Sequence, residues 1–232
     1  MTLPETRPQT FRAAALRALL FDMDGTLVDT DNLHFSAFTE LFTSLGKPLT
    51  RDEYDSRIAG RPNPEIFRDY FPDETDAARQ GLMDRKELRF RSSASSWEPL
   101  AGLGELLAWG RAGGLAVALV TSAPRDNVTH LLAATGLTDA FSPLVYADEL
   151  PRGKPDPLPY TAALGLLGLS PHEAVVFEDS TNGVRSGVGA GVFTVGVSTT
   201  QRPARLAAAG AGLVIRDFTA PALWRLLEPE HT

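Results

Sequence analysis

The chain reads as a doubly wound α/β protein, a parallel sheet with helices on both faces, interrupted once by a helical insertion. Three observations predict this. Short, uniformly apolar runs recur along the chain, as suits strands buried on both faces. From residue 100 onward they alternate with helical stretches, the pattern of a parallel sheet. The span from Thr30 to Trp97, by contrast, has helical periodicity and no convincing strand.

Taken in order, residues 1–12 are polar, contain two prolines and read as a loose tail. Leu19-Leu20-Phe21 is the first strand. The insertion follows: Leu33, Ala37, Phe38, Leu41, Phe42 and Leu45 form one helical stripe ahead of Gly46, and the polar stretch from Arg91 to Ser96 closes it. A core over 13–29 and 98–232 and a helical insertion over 30–97 are therefore expected. Further strands are expected at Val117–Val120, Leu144–Tyr146, Val175–Phe177, Val192–Val195 and Leu213–Ile215. Between them, helices are expected over Asn127–Thr135, Pro157–Leu167, Asn182–Ala190 and Pro203–Ala209. Gly136, Gly168, Gly191 and Gly210 stand where these helices need a left-handed stop.

Composition bounds the function classes. The chain has 232 residues, 43% hydrophobic and 22% charged, which sets aside disordered and disulfide-rich classes. A net charge of -7 with no basic block argues against a nucleic-acid or anionic-membrane surface. With no cysteine, thiolate metal sites and cysteine nucleophiles are excluded. No apolar run approaches the roughly 18 residues of a membrane span, and the first dozen residues lack the apolar block of a signal peptide, so a cytoplasmic protein is expected. Only three of the 22 basic residues are lysines: Lys47, Lys86 and Lys154.

In open parallel sheets, ligands bind beyond the carboxyl ends of the strands, so the residues that follow each apolar run are the candidates for chemistry. Asp22-Met23-Asp24-Gly25-Thr26 follows the first strand. If extended geometry continues through Met23, both carboxylates share one side, where repulsion favours a shared proton or a bound cation. An acidic turn is the alternative. Thr121 and Ser122 follow the second strand as hydroxyls at a helix start, either an oxyanion site or routine caps. Lys154, in Gly153-Lys154-Pro155, follows the third, and its compact ammonium can reach a carboxylate and a phosphate together. Glu178-Asp179 ends the fourth, and with the Asp22 pair would make an oxygen-rich cluster suited to Mg2+. Asp179 has a second reading, as the cap of the helix at Asn182.

In this order, the four segments resemble the haloacid dehalogenase-like hydrolase superfamily, over the span from Asp22 to about Val197. The resemblance implies a Rossmann-like core with an inserted helical cap. It also implies a Mg2+-dependent phosphohydrolase with Asp22 as nucleophile and Asp24 as general acid/base. Thr121 and Lys154 would bind phosphate, and Glu178 and Asp179 would be the acidic metal-binding pair. The second aspartate, Asp24, argues against the dehalogenating and phosphonate-cleaving members, and the ion pumps would need membrane spans.

The stretch from Asp29 to Phe38 resembles the β-phosphoglucomutase and sugar-phosphate phosphatase branch, whose cap histidine and lysine match His34 and Lys86. Each has a plainer reading too: His34 on the polar side of its helix, Lys86 paired with Asp84 or Glu87. The mutases hold a second phosphate with an arginine at a position where this chain has Asn63, in Gly60-Arg61-Pro62-Asn63, although Arg61 lies two residues earlier. Loss of a bidentate partner favours water as acceptor. The expected function is hydrolysis of a small sugar- or polyol-phosphate-like metabolite by a monomer. Phe38, His34, Arg61, Asn63 and Lys86 would face the leaving group. A sugar phosphomutase is the alternative, and an inactive binding protein of the same fold is a third reading.

Overall fold

The computed structural model describes residues 11–93 and 97–228. Residues 1–10 of the expected tail, and Ala94, Ser95 and Ser96 of the expected closing stretch, lie outside the described residues. Phe11 packs its ring 5.2 Å from that of Phe193, so the chain joins the core earlier than the tail boundary at residue 12 implied.

Six strands form one parallel sheet in the order β3-β2-β1-β4-β5-β6. They are β1 (Ala18–Phe21), β2 (Ala116–Thr121), β3 (Leu144–Tyr146), β4 (Ala174–Glu178), β5 (Phe193–Val197) and β6 (Leu213–Ile215). This is the doubly wound order, and it bears out the expected fold class. Side chains alternate across the sheet: Leu19, Phe21, Val117, Leu119, Val175 and Phe177 enter one apolar cluster. Ala18, Leu20, Ala118, Val120, Ala174 and Val176 enter another. Both faces are covered, which is why the runs are apolar throughout rather than alternating.

Helices α5 (Leu103–Ala112), α6 (Arg125–Ala134), α7 (Leu158–Leu167), α8 (Thr181–Gly189), α9 (Pro203–Ala209) and α10 (Pro221–Leu227) supply that cover. The four glycines expected to stop helices all take positive φ, from 65° at Gly168 to 110° at Gly210. Between β1 and β2 lie α1 (Asp31–Ser44), α2 (Arg51–Arg57), α3 (Asn63–Tyr70) and α4 (Asp76–Ser93). These helices have an apolar cluster of their own, built on Phe38, Leu41, Phe42, Tyr54, Ile66 and Phe67. The α1 stripe serves two cores, since Leu33 and Ala37 pack with the sheet cluster instead. Among the described residues, no helix is long and apolar enough to cross a membrane.

The sheet register positions the chemistry. Phe21 pairs with Leu119 of β2 and Phe177 of β4. The Asp22 N–H then donates to the Phe177 carbonyl at 3.0 Å, which carries the ladder one residue past β1. Asp22 is thereby held at the carboxyl edge, between the ends of β2 and β4.

Candidate active site

At this edge, Asp22, Glu178 and Asp179 are all buried, and one carboxylate oxygen of each lies within 4.8 Å of the others. Lys154 reaches into the group from the loop after β3. Its Nζ donates to Asp22 Oδ1 at 2.7 Å and to the Val120 carbonyl at 2.7 Å, and lies 2.6 Å from Glu178 Oε1. One ammonium among three carboxylates leaves negative charge in excess. Burial raises the Asp22 carboxyl; Lys154 opposes the rise, Glu178 and Asp24 add to it, and the result is about 7. Burial first, then the charges of Asp22 and Glu178, push Asp179 well above the usual carboxylate range.

The Glu178 oxygens are already engaged: Oε1 also accepts from the Tyr160 hydroxyl at 2.8 Å, and Oε2 accepts from Ser180 Oγ at 3.2 Å. Its backing is Gly183, where an added Cβ would fall 1.8 Å from the carboxyl carbon. Asp179 accepts from the Thr26 hydroxyl at 3.5 Å and from the Thr200 hydroxyl. It does not cap α8, because Ser180 does so, accepting from the Gly183 N–H at 2.9 Å. Gly25 takes φ +73°, and a Cβ there would lie 2.3 Å from Asp179 Oδ2, so both the turn and the approach require glycine. An all-oxygen set with excess negative charge suits a hard divalent cation such as Mg2+.

Thr121, the last residue of β2, accepts at Oγ1 from the Ala123 N–H at 3.0 Å, which leaves its hydroxyl proton free to donate. Asp24 accepts at Oδ1 from the Thr30 hydroxyl at 2.9 Å, and His34 Nε2 stands 3.4 Å from the same oxygen. The other ring nitrogen, Nδ1, is 2.8 Å from Lys86 Nζ. An ammonium has only donors, so Nδ1 must accept and Nε2 must carry the proton that faces Asp24. Lys86 is 1% exposed, lies over the rings of Phe38 and Phe90, and pairs with Glu87 Oε1 at 2.8 Å. The plainer pairing of Lys86 with Glu87 is thus present, and it forms part of one chain of contacts, Asp24–His34–Lys86–Glu87.

Asp22, Asp24, His34, Phe38, Lys86, Glu87, Thr121, Lys154 and Asp179 line a cavity of about 230 Å3, shared with Ser122, Arg61 and Asn63. The Arg61 guanidinium is bonded to Asp69 at 2.8 Å and to the Arg57 carbonyl at 2.9 Å. The Asn63 amide donates to Glu87 Oε1 at 2.6 Å. Four participants were not among the sequence candidates. Glu87 accepts from Lys86, Asn63 and Asn127, and Asn127 on α6 joins α4 to the sheet domain through Glu87 Oε2 at 2.6 Å. Tyr160 and Thr200 steady the acidic pair. Burial would raise the Glu87 carboxyl, but Lys86 foremost, then His34 and the hydrogen bonds, bring it down to about 2.

Residues 19–197 match the haloacid dehalogenase-like hydrolase family. The chain belongs to this family. Among its relatives, the validoxylamine A 7'-phosphate phosphatase of Streptomyces hygroscopicus subsp. limoneus is 31% identical over 210 residues, which cover 88% of this chain and 94% of that protein. The β-phosphoglucomutase of Bacillus subtilis is 30% identical over 211 residues, 87% of this chain and 90% of that one. A crystal structure of CbbY from Rhodobacter sphaeroides in complex with xylulose-(1,5)-bisphosphate aligns with a TM-score of 0.82 at 27% identity, covering 92% of this chain and 99% of that one. The family and branch expected from the sequence are borne out. In this hydrolase, the paired aspartates after β1 and the acidic pair at the end of β4 fall inside the matched span.

Proposed function

We propose that the chain is a Mg2+-dependent phosphatase that hydrolyses a small phosphate monoester, of sugar or polyol type, through an aspartyl phosphate on Asp22. The reading takes 13–29 and 98–232 as the catalytic core and 30–97 as a cap. The observation that carries it is the Asp22 carboxylate, fixed by Lys154 within an acidic cluster at the floor of a cavity, with Asp24 facing the same cavity.

Asp22 attacks phosphorus through its unengaged oxygen, the ester P–O bond breaks, and Asp24 delivers its proton to the departing alkoxide. Asp24 then takes a proton from the water that attacks the phosphorus, which frees phosphate and restores Asp22. Lys154, Thr121 and Ser122 answer the charge on the transferring oxygens. Asp22, Asp179 and the Asp24 backbone carbonyl would hold Mg2+, with Glu178 behind them. Bound Mg2+ supplies positive charge that lets an anionic carboxylate meet an anionic phosphate. Thr30 and the His34 N–H orient the Asp24 carboxyl.

A sugar phosphomutase is the second reading, favoured by the His34–Lys86 contact and opposed by Asn63 at the position of the mutase arginine. The test is incubation with Mg2+ and a panel of sugar, polyol and nucleotide monophosphates. Release of phosphate that disappears on chelation is the expected result. Isomerisation without release would favour the mutase, and no reaction with any compound would sink both.

A further inference from the structure

The far end of the cavity, taken as the wall built by the inserted helices α1–α4 and the turn between α2 and α3, is lined by Asp31, Tyr54, Arg61, Asn63, Lys86 and Glu87. Both cations there are already committed. Lys86 spends its charge on Glu87 and its remaining contacts on His34 and two aromatic faces. The Arg61 guanidinium bonds to Asp69 at 2.8 Å and stands 3.7 Å from Glu65. Asp31, in turn, is answered by Arg51 and by the Tyr54 hydroxyl. Among the described residues, the far end is thus a set of closed ion pairs. What remains open to a ligand is uncharged: the Asn63 amide oxygen and the aromatic walls.

An anionic group brought to this end would lose water, meet two carboxylates and find no free cation unless Arg61 left Asp69. A hydroxylated end meets no such penalty and can hydrogen-bond to the Asn63 amide oxygen. Accepting the proposed phosphate position at Asp22, we propose that this site selects monophosphates whose far end is uncharged and polyhydroxylated. Bisphosphates and phosphorylated carboxylic acids are disfavoured. The Lys86–Glu87 and Arg61–Asp69 pairs set that selection.

The experiment is equilibrium binding to the Asp22→Asn protein in Mg2+, measured by calorimetry with three ligands on one carbon skeleton: glucitol 6-phosphate, gluconate 6-phosphate and glucitol 1,6-bisphosphate. Glucitol 6-phosphate is expected to bind at least tenfold more tightly than either of the others. Adding Asp69→Asn, an exposed position outside the cavity lining, releases Arg61 from its shortest ion pair and is expected to narrow that gap at least threefold by tightening the doubly anionic ligands. Equal or tighter binding of the doubly anionic ligands overturns the proposal, as does failure of glucitol 6-phosphate to bind. An unchanged gap with Asp69→Asn overturns the role given to Arg61. Turnover is a separate readout: wild-type protein that binds glucitol 6-phosphate with the expected preference but hydrolyses nothing sinks the phosphatase reading and leaves this selection standing.

Discussion

Glu87→Gln keeps the shape of the side chain and removes its charge, so it isolates what the buried carboxylate contributes. Glu87 is 6% exposed and accepts hydrogen bonds from Lys86, Asn63 and Asn127. Its carboxyl falls from 4.5 to about 2 on folding. At 1.36 kcal/mol per unit, that is about 3 kcal/mol of stability. Breaking a buried pair by removing one partner costs about 3–5 kcal/mol, which agrees in size. Because the folded value is depressed, this stability is fully present above pH 4.5 and is lost as pH falls toward 2. Urea denaturation at pH 7 should therefore show Glu87→Gln about 3 kcal/mol less stable than wild type, with the difference mostly gone at pH 2.5. Lys86→Met in the same chain should recover much of the loss, since the stranded ammonium is then removed. A difference below about 1 kcal/mol at pH 7, or one that persists unchanged at pH 2.5, would refute the assignment of Glu87 as the counter-charge that joins α4 to α6.

Asp22→Asn should lower phosphate release at least about 1,000-fold. Its metal-free Tm should not fall, because the substitution removes a carboxyl that burial has already raised to about 7. Mg2+ should raise the wild-type Tm, by about 2.7 kcal/mol of stability at one hundred times its Kd. That gain should shrink below pH 7 as Asp22 and Asp179 retain their protons; a Tm gain that is equal at pH 5 and pH 8 would contradict the acidic cluster as the binding site. Gly183→Ala places a Cβ 1.8 Å from the carboxyl carbon of Glu178, whose oxygens are fixed by Tyr160 and Lys154. It should cost at least about 3 kcal/mol in urea denaturation, at the upper end of overpacking.

The sheet was readable because its signals are local. Leu213–Ile215 and Pro203–Ala209 were read at their observed ends, since an apolar run, an initiating proline and a terminating glycine all lie within a few residues of one another. Helix α5 was missed, although Leu103, Leu106 and Leu107 are at helical spacing. Gly102, Gly104, Gly113 and Gly114 crowd that stretch, and packing against the sheet, not propensity, makes it helical. Helix α4 was harder still. Its inward face carries Lys86 and Glu87 beside Phe90, all buried, so apolar periodicity cannot reveal which side faces in.

The same physics explains why the strand-end motifs were legible and the Lys86–Glu87–Asn127 network was not. Asp22 and Asp24 follow β1, Glu178 ends β4 and Asp179 comes next, and the register of both strands is set by apolar pairing, so their convergence follows from topology. The Glu87–Asn127 contact joins residues forty positions apart, on helices whose packing depends on two different cores. One local signal did reach that far, the choice of lysine in a chain that favours arginine. Arg125 meets Glu149 at the surface through two donors in one plane, the geometry a guanidinium suits. Lys154 instead divides its ammonium among Asp22, Glu178 and the Val120 carbonyl, and Lys86 divides its own between His34 and Glu87 while aromatic rings flank it. Partners that diverge from one buried point require a tetrahedral donor, which a planar fork cannot supply. Lys47, exposed and 5.5 Å from the Phe71 ring centroid, faces no such demand. On this reasoning Lys154→Arg should be nearly as inactive as Lys154→Met, whereas Lys47→Arg should leave both stability and phosphate release unchanged; an active Lys154→Arg enzyme would show that charge alone, without the divergent geometry, suffices at the phosphate site.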